Sequence, residues 1–351
     1  MDNIILNNYL LPFVSAFILG FFLTALIRKI ASKLKIFDYP NCPRKIHDRP
    51  IPLLGGWAIY LSFLFLVIIY WQNGLLLDGR IQPNHLWGII IAGLILMIGG
   101  FLDDKYNLKP KLTIIAPILA SLIIILFGLK IGYITSPFGG LLYLAKTWWS
   151  PILIFFWLMG MMYTTKFLDG LDGLVSGVSV IGSFILFLVS LFWDKPLSGT
   201  SILCLILGGS ALGFLIWNFH PAKIFLGESG STFLGFMLGV LAIISGAKIA
   251  TTLLIMGIPI LDVLWVIVRR IFKEKKSPFL ADKKHLHFRL LNAGFNQRQA
   301  VLFLYLITTL FGASAIFQKT IGKLVTLGIL VIFMIGLAFW IVSRYNKKAA
   351  V

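Results

Sequence analysis

Four carboxylates stand in two tight sets, Asp103-Asp104 and Asp169-Gly170-Leu171-Asp172, in a chain of 351 residues that carries 13 Asp and Glu against 31 Lys and Arg. With 59% of the residues hydrophobic, acids at the ends of apolar stretches are costly unless a cation or a reaction uses them. Neighbouring residues on a helix point about 100° apart, so Asp103 and Asp104 can rim one mouth. One of them can hold a hard divalent cation while the other accepts or orients a proton. Asp169 and Asp172, three residues apart, share a face if helical. Between and beyond them, Gly170 and Gly173 let a phosphate or a base approach the backbone. The plain alternative is a hydrated helix end and an N-capping turn.

Three further segments carry similar chemistry. Asn218 to Ser231 places Gly227-Glu228-Ser229-Gly230 at the start of an apolar stretch. That suits a metal-bound diphosphate, with Glu228 a ligand for Mg²⁺; capping by Ser229 or Ser231 is the alternative. Lys283-Lys284-His285-Leu286-His287-Phe288-Arg289 offers phosphate recognition or proton transfer, or else a basic loop that meets headgroups. Arg44-Lys45-Ile46-His47 precedes Pro50-Ile51-Pro52-Leu53-Leu54-Gly55-Gly56, which by itself reads as a cationic anchor and a helix start.

The elements that must position these residues are apolar helices. Mean hydropathy is +0.94, and long apolar runs put the chain in the polytopic membrane class. Eleven spans are expected, near 4–27, 52–72, 86–102, 112–129, 149–166, 173–193, 199–217, 230–247, 249–271, 299–317 and 322–343. The seventh and eighth, with Gly208, Gly209, Gly213, Gly235 and Gly239, should pack closely. The polar stretch 273–298, about 26 residues, is too short for a core of its own, so residues 1–351 read as a single domain. The apolar N-terminal run lacks a basic lead and reads as a retained helix. Cys42 and Cys204 match neither a metal site nor a disulfide.

The net charge of +18 is explained by topology, and nucleic acid is not expected as a partner. Sorted across eleven spans, 24 of the 31 Lys and Arg fall on one side. The positive-inside rule makes that side cytoplasmic, the N-terminus outside and the C-terminus inside. Asp103, Asp104, Asp169, Asp172, Glu228, His47, His220, His285 and His287 fall on the same side. Such clustering argues for an active site facing cytosolic substrate; a transporter or flippase for a lipid-linked sugar would keep its charges nearer the midplane. A CDP-alcohol phosphatidyltransferase needs Ala-Arg after Asp-Gly, and Leu171-Asp172 stands there instead. A non-catalytic scaffold leaves the one-sided acids unused.

In order and spacing, the motifs from His47 to Phe295 resemble the polyprenyl-phosphate N-acetylhexosamine-1-phosphate transferase family of bacterial envelope synthesis. The loop from Ser277 to Leu290 is closer to the GlcNAc-1-phosphate branch than to the phospho-MurNAc-pentapeptide branch. The resemblance implies an all-α membrane enzyme of the bacterial cytoplasmic membrane. The implied reaction is transfer of sugar 1-phosphate from a UDP-sugar to undecaprenyl phosphate, with release of UMP and dependence on Mg²⁺ or Mn²⁺. It also implies catalytic roles for Asp103, Asp104, Asp169 and His285, and metal binding by Asp169 and Glu228. Asn218, Asp172, Gly170, Lys166, His287, Arg289 and His47 would hold the nucleotide sugar and phosphates. Asp262, after Pro259, matches a Pro-x-x-Asp span. Membrane lipids are expected partners, and a homodimer is left open. The chain departs from the family pattern at Glu228 (usually Asp), Lys166 (commonly Asn) and Phe288 (often His).

Overall fold

The computed structural model describes residues 3–41, 45–135, 140–145, 147–194, 197–246, 248–275 and 285–349. Helix α1 (Asn3–Lys33) is followed by α2 (Gly55–Gln72), α3 (Pro83–Tyr106), α4 (Pro110–Thr113) and α5 (Ile115–Leu126). Next come α6 (Trp149–Leu168), α7 (Leu174–Trp193), α8 (Gly199–Asn218) and α9 (Gly227–Ile244). The chain then forms α10 (Ile249–Ile255), α11 (Gly257–Val268) with a π-helical continuation (Arg269–Glu274), α12 (Leu286–Asn292), α13 (Gln297–Ser314) and α14 (Thr320–Ala349). Two antiparallel pairs, Phe37–Asp38 with Ile51–Pro52 and Tyr133–Thr135 with Leu141–Tyr143, lie outside the helices. Among the described residues, eight helices are long and apolar enough to cross a membrane, or nine if α10 and α11 form one span.

Each expected stretch is helical, but those near 112–129 and 299–317 are not among the helices long and apolar enough to cross, and three differences of form appear. The 249–271 stretch bends by 76° between α10 and α11. Pro259 is the cause: it donates no backbone hydrogen bond, and its ring clashes with the carbonyl of Ile255. The same effect, from Pro117 on Thr113, breaks 112–129 into α4 and α5. The eighth helix starts at Gly227, not 230, so Glu228 belongs to its first turn.

Helix α9 is the hub, with 94% of its apolar window buried, against 22% for α1 and α14 at the periphery. The expected glycine packing is present. A Cβ on Gly213 would strike the backbone of α1 at Phe17 and Phe21, and one on Gly235 would strike Met161 and Thr165 of α6. Close approach without intervening side chains fixes helix depth and rotation, and therefore where the polar ends land. Cys204 is buried on α8; Cys42 lies outside the described residues.

Candidate active site

One end of the helix stack gathers the ends of α3, α6, α8 and α11 with the starts of α2, α7 and α9. Gly55 and Gly56 of α2 donate to the carbonyls of Phe225 and Leu226, which docks the loop before α9. Helix α9 has no cap from its own N-terminal side chain. The Glu228 N–H instead donates to Asp104 Oδ1 on α3 at 3.0 Å. A carboxylate of one helix thus caps another, matching the exposed N–H groups and positive dipole at that end. Asp104 Oδ2 is buried without a hydrogen-bond partner and lies where a Cβ on Gly227 would stand. Gly227 has φ +75°, a left-handed conformation that glycine adopts without strain. Asp103 Oδ1 accepts from Leu108 N at 2.9 Å, and its carboxylate lies near enough to Lys166 and Glu228 to act on both charges.

Lys166, on the last turn of α6, donates to Glu228 Oε1 at 2.5 Å and lies 5.6 Å from the centre of the Tyr163 ring. Two of the three departures from the family pattern are therefore the two ends of one ion pair. Asp169 follows as the C-terminal cap residue of α6. It is reached by solvent, while protein packed around its carboxyl desolvates it. Burial first, then the charges of Glu228, Asp172 and Asp38, push its pKa up to about 7. Asp172 is drawn off the acid cluster: its Oδ2 accepts from His220 Nδ1 at 2.8 Å and from Ala222 N at 3.0 Å. Asn218 is buried, and its amide is used internally. It accepts from Gly173 N and Ser176 Oγ and donates to the carbonyl of Ile224, clamping the Asp169–Gly173 turn to the loop before α9.

The histidine segment closes another side. His285 Nδ1 pairs with Asp262 Oδ2 at 2.8 Å, and Leu286 N donates to Asp262 Oδ1 at 2.8 Å, so Asp262 caps α12 from α11. Phe167, His285 and His287 stack, with ring centroids 5.9 and 5.8 Å apart. A Cβ on Gly170 would strike His287 Nε2; only the glycine leaves the imidazole its place. That nitrogen is buried without a partner. Burial pushes the His287 pKa down to about 4, against the pull of Asp262, so the ring is neutral at pH 7. Arg289 stands on the first turn of α12, its N–H bonded to the His285 carbonyl. His47 is held at the mouth by Asp38 Oδ2 at 2.9 Å and the Arg49 carbonyl at 2.8 Å, edge-on to Phe225. Lys283 and Lys284 lie outside the described residues.

Every expected site residue among those described belongs to this end. Sequence reading missed Asp38, which bears on Asp169 and holds His47, and gave His220 no role. It also missed Tyr305, which donates to the Gly173 carbonyl, and Arg298, which donates to the His220 carbonyl. For His220 the signal was its place two residues after Asn218; for the others the sequence offered none.

The cluster suits a hard divalent cation. Its donors are carboxylate oxygens, one of them an unpartnered buried Oδ2, and acids outnumber the ammonium set among them. Mg²⁺ uses one or two carboxylates plus phosphate and water oxygens. Among the described residues no three protein ligands form a ready cage.

Apolar helices that carry an acid-lined polar mouth fit the class of membrane-embedded enzymes. Glycosyl transferase family 4 matches residues 86–246, the stretch that bears Asp103 through Glu228. A probable undecaprenyl-phosphate N-acetylglucosaminyl 1-phosphate transferase of Bacillus subtilis is 34% identical, covering 94% of this chain and 92% of the relative. A decaprenyl-phosphate N-acetylglucosaminephosphotransferase of Mycobacterium leprae is 31% identical over 87% of this chain and 83% of its own. An undecaprenyl-phosphate alpha-N-acetylglucosaminyl 1-phosphate transferase of Escherichia coli is 28% identical over 92% and 89%. The chain belongs to this family of polyprenyl-phosphate sugar-1-phosphate transferases, on the GlcNAc-1-phosphate side, and is a membrane transferase.

Proposed function

We propose that the protein transfers N-acetylhexosamine 1-phosphate from a UDP-sugar to undecaprenyl phosphate, with UDP-GlcNAc as the first donor to test. An oxygen of the lipid phosphate attacks the β-phosphorus, the bond from that phosphorus to the bridging oxygen breaks, and UMP leaves. The products are polyprenyl-diphospho-sugar and UMP, the opening membrane step of an envelope glycan. The observation that carries this reading is the convergence on Glu228 of Asp104 from α3 and Lys166 from α6, beside Asp169. The relatives supply the substrate class.

Asp169 and Glu228 would hold Mg²⁺ or Mn²⁺, which offsets charge gathering on the leaving UMP. Asp103, on the last turn of α3, is the acid for aligning the lipid phosphate and keeping it deprotonated. Asp104, spent on the N-terminus of α9, positions Glu228. The Phe167–His285–His287 stack beside Gly170 is read as a wall for the nucleotide, with Asp262 fixing the His285 ring and Arg289 and His47 at the rim. Asn218 and Asp172 hold the turn that presents Asp169. Phosphoryl transfer needs positioning and charge stabilisation more than a covalent intermediate, so direct attack is favoured.

The same reading puts the site on the cytoplasmic face of a bacterial cytoplasmic membrane, with eleven crossings, the N-terminus outside and the C-terminus inside. The charge asymmetry supports it. So do contacts at the opposite end, where Trp193 meets the Ile316 carbonyl and Lys323 meets Thr251, so α13 and α14 each run the length of the stack. The test is UMP release by purified protein in detergent. Asp169→Asn should lower the rate by about 10²-fold or more, and near-normal turnover would remove Asp169 from the mechanism.

A further inference from the structure

The Lys166–Glu228 pair is set into the acid cluster itself. Glu228 is held on the first turn of α9, its N–H fixed by Asp104 and its carbonyl accepting from Thr232 Oγ1 at 2.7 Å. Its carboxylate therefore has a fixed base and a short reach. Lys166 projects from the last turn of α6, with side-chain exposures of 24% for Lys166 and 14% for Glu228. The pair is thus largely screened from bulk water yet not sealed from it. A lysine ammonium is a compact charge on a flexible four-carbon stem. It can leave a carboxylate for a phosphate oxygen without any movement of the backbone.

The pair also joins two of the positions at which the chain departs from the pattern it resembles. Glutamate is longer than aspartate by one methylene, and lysine carries a charge that asparagine lacks. Either change alone would alter the charge or the reach of the cluster. Together they close on each other at 2.5 Å. A divalent cation approaching Glu228 meets an ammonium already on that carboxylate, and like charges this near repel strongly where water is scarce. A diphosphate reverses the balance, because its oxygens compete for Lys166 and free Glu228.

We infer that Lys166 is an internal counter-cation that must be drawn off by the donor's diphosphate before Glu228 can take a divalent cation, so that metal and nucleotide bind interdependently. This rests on the reading of the cluster as a metal–diphosphate site. Lys166 is a positioning residue for Glu228 in the free protein and a phosphate contact in the loaded one.

The experiment measures Mn²⁺ binding by the loss of the free-ion electron paramagnetic resonance signal, and separately UDP binding in EDTA, on full-length protein in detergent. For Lys166→Gln, Mn²⁺ without nucleotide should bind about tenfold tighter, and UDP without metal about tenfold weaker, both within the usual range of coupling between sites. Lys166→Arg keeps the charge and should follow the wild type in both. Opposite signs are the signature: a lysine that merely braced α6 against α9 would loosen both ligands when removed. The inference is overturned if Lys166→Gln moves both affinities the same way, or moves neither, while the wild type binds Mn²⁺. Absence of Mn²⁺ binding in wild type and variant alike, with or without UDP, overturns the metal reading of the site and this inference with it.

Discussion

Asp262→Asn is the most informative single change outside the acid cluster. The Asp262 carboxylate accepts two hydrogen bonds at 2.8 Å, from Leu286 N through Oδ1 and from His285 Nδ1 through Oδ2. Asparagine keeps an oxygen for Leu286, so the cap of α12 survives. It presents an NH₂ group to His285, which can be met only if Nδ1 becomes an acceptor and the proton moves to Nε2. The tautomer is thereby inverted, and the Nε2 that the wall presents turns from acceptor into donor. His285 and Asp262 side chains are only 8% and 12% exposed, so water does not replace the lost bond. A hydrogen bond to a charged group in such a place is worth about 1.5–3 kcal/mol. If that loss is felt in the transition state, it lowers the rate roughly 10- to 150-fold at about 1.4 kcal/mol per tenfold. UMP release at saturating UDP-GlcNAc and undecaprenyl phosphate should show the fall in kcat with little change in KM. Asp262→Asn combined with His285→Gln should be no slower than His285→Gln alone, because the two act as a unit. A kcat within twofold of wild type, or additive losses in the double variant, would refute the assignment.

Stability and pH supply three further predictions. At the far end, Asp194 holds buried Lys248 at 2.5 Å and Arg80 at 2.6 Å; Asp194→Asn strands the Lys248 charge and should cost about 3–5 kcal/mol in denaturant titrations, most of it regained in Asp194→Asn with Lys248→Met. In EDTA, Asp169 binds its proton more tightly in the folded state than its ordinary 3.8 allows, so its contribution is full below that value and is lost as pH rises to about 7. His287 runs the other way: its contribution is full above 6.5 and is lost as pH falls to about 4. Melting curves from pH 4 to 8 should therefore lose opposite slopes in Asp169→Asn and His287→Gln, and parallel curves would rule out both shifts. Gly227→Ala meets a φ of +75° and the Asp104 carboxylate. It should cost about 1–2 kcal/mol from the backbone alone and more than that in UMP release, measured beside its melting temperature.

Much of the fold was legible in the chain because hydropathy records which stretches leave water, and a run of apolar residues can do so only as a helix. That logic locates the helices, and charge sorting puts most of the acids and histidines, Asp78, Asp194 and His85 aside, at one end. The breaks at Pro117 and Pro259 were legible too, since proline ends a helix by its own covalent geometry, but long apolar runs were read straight through them. What distinguishes Asp103 from Asp104 was not legible, for a different reason. Which of two neighbouring side chains faces α9 depends on how far α3 is rotated, and that is set by glycine contacts between helices distant in sequence.

Residue types alone establish a helical membrane protein with most of its acids toward one end, because solvent preference and charge are properties of residues. Packing brings Asp104 onto the start of α9, sets Asp262 on α12 while fixing His285, draws Asp38 into the site and closes Lys166 on Glu228. A hydrogen bond or ion pair forms over a few ångströms. Whether two side chains meet within that distance depends on helix depth and rotation, which emerge from packing and are written in no single segment of the chain.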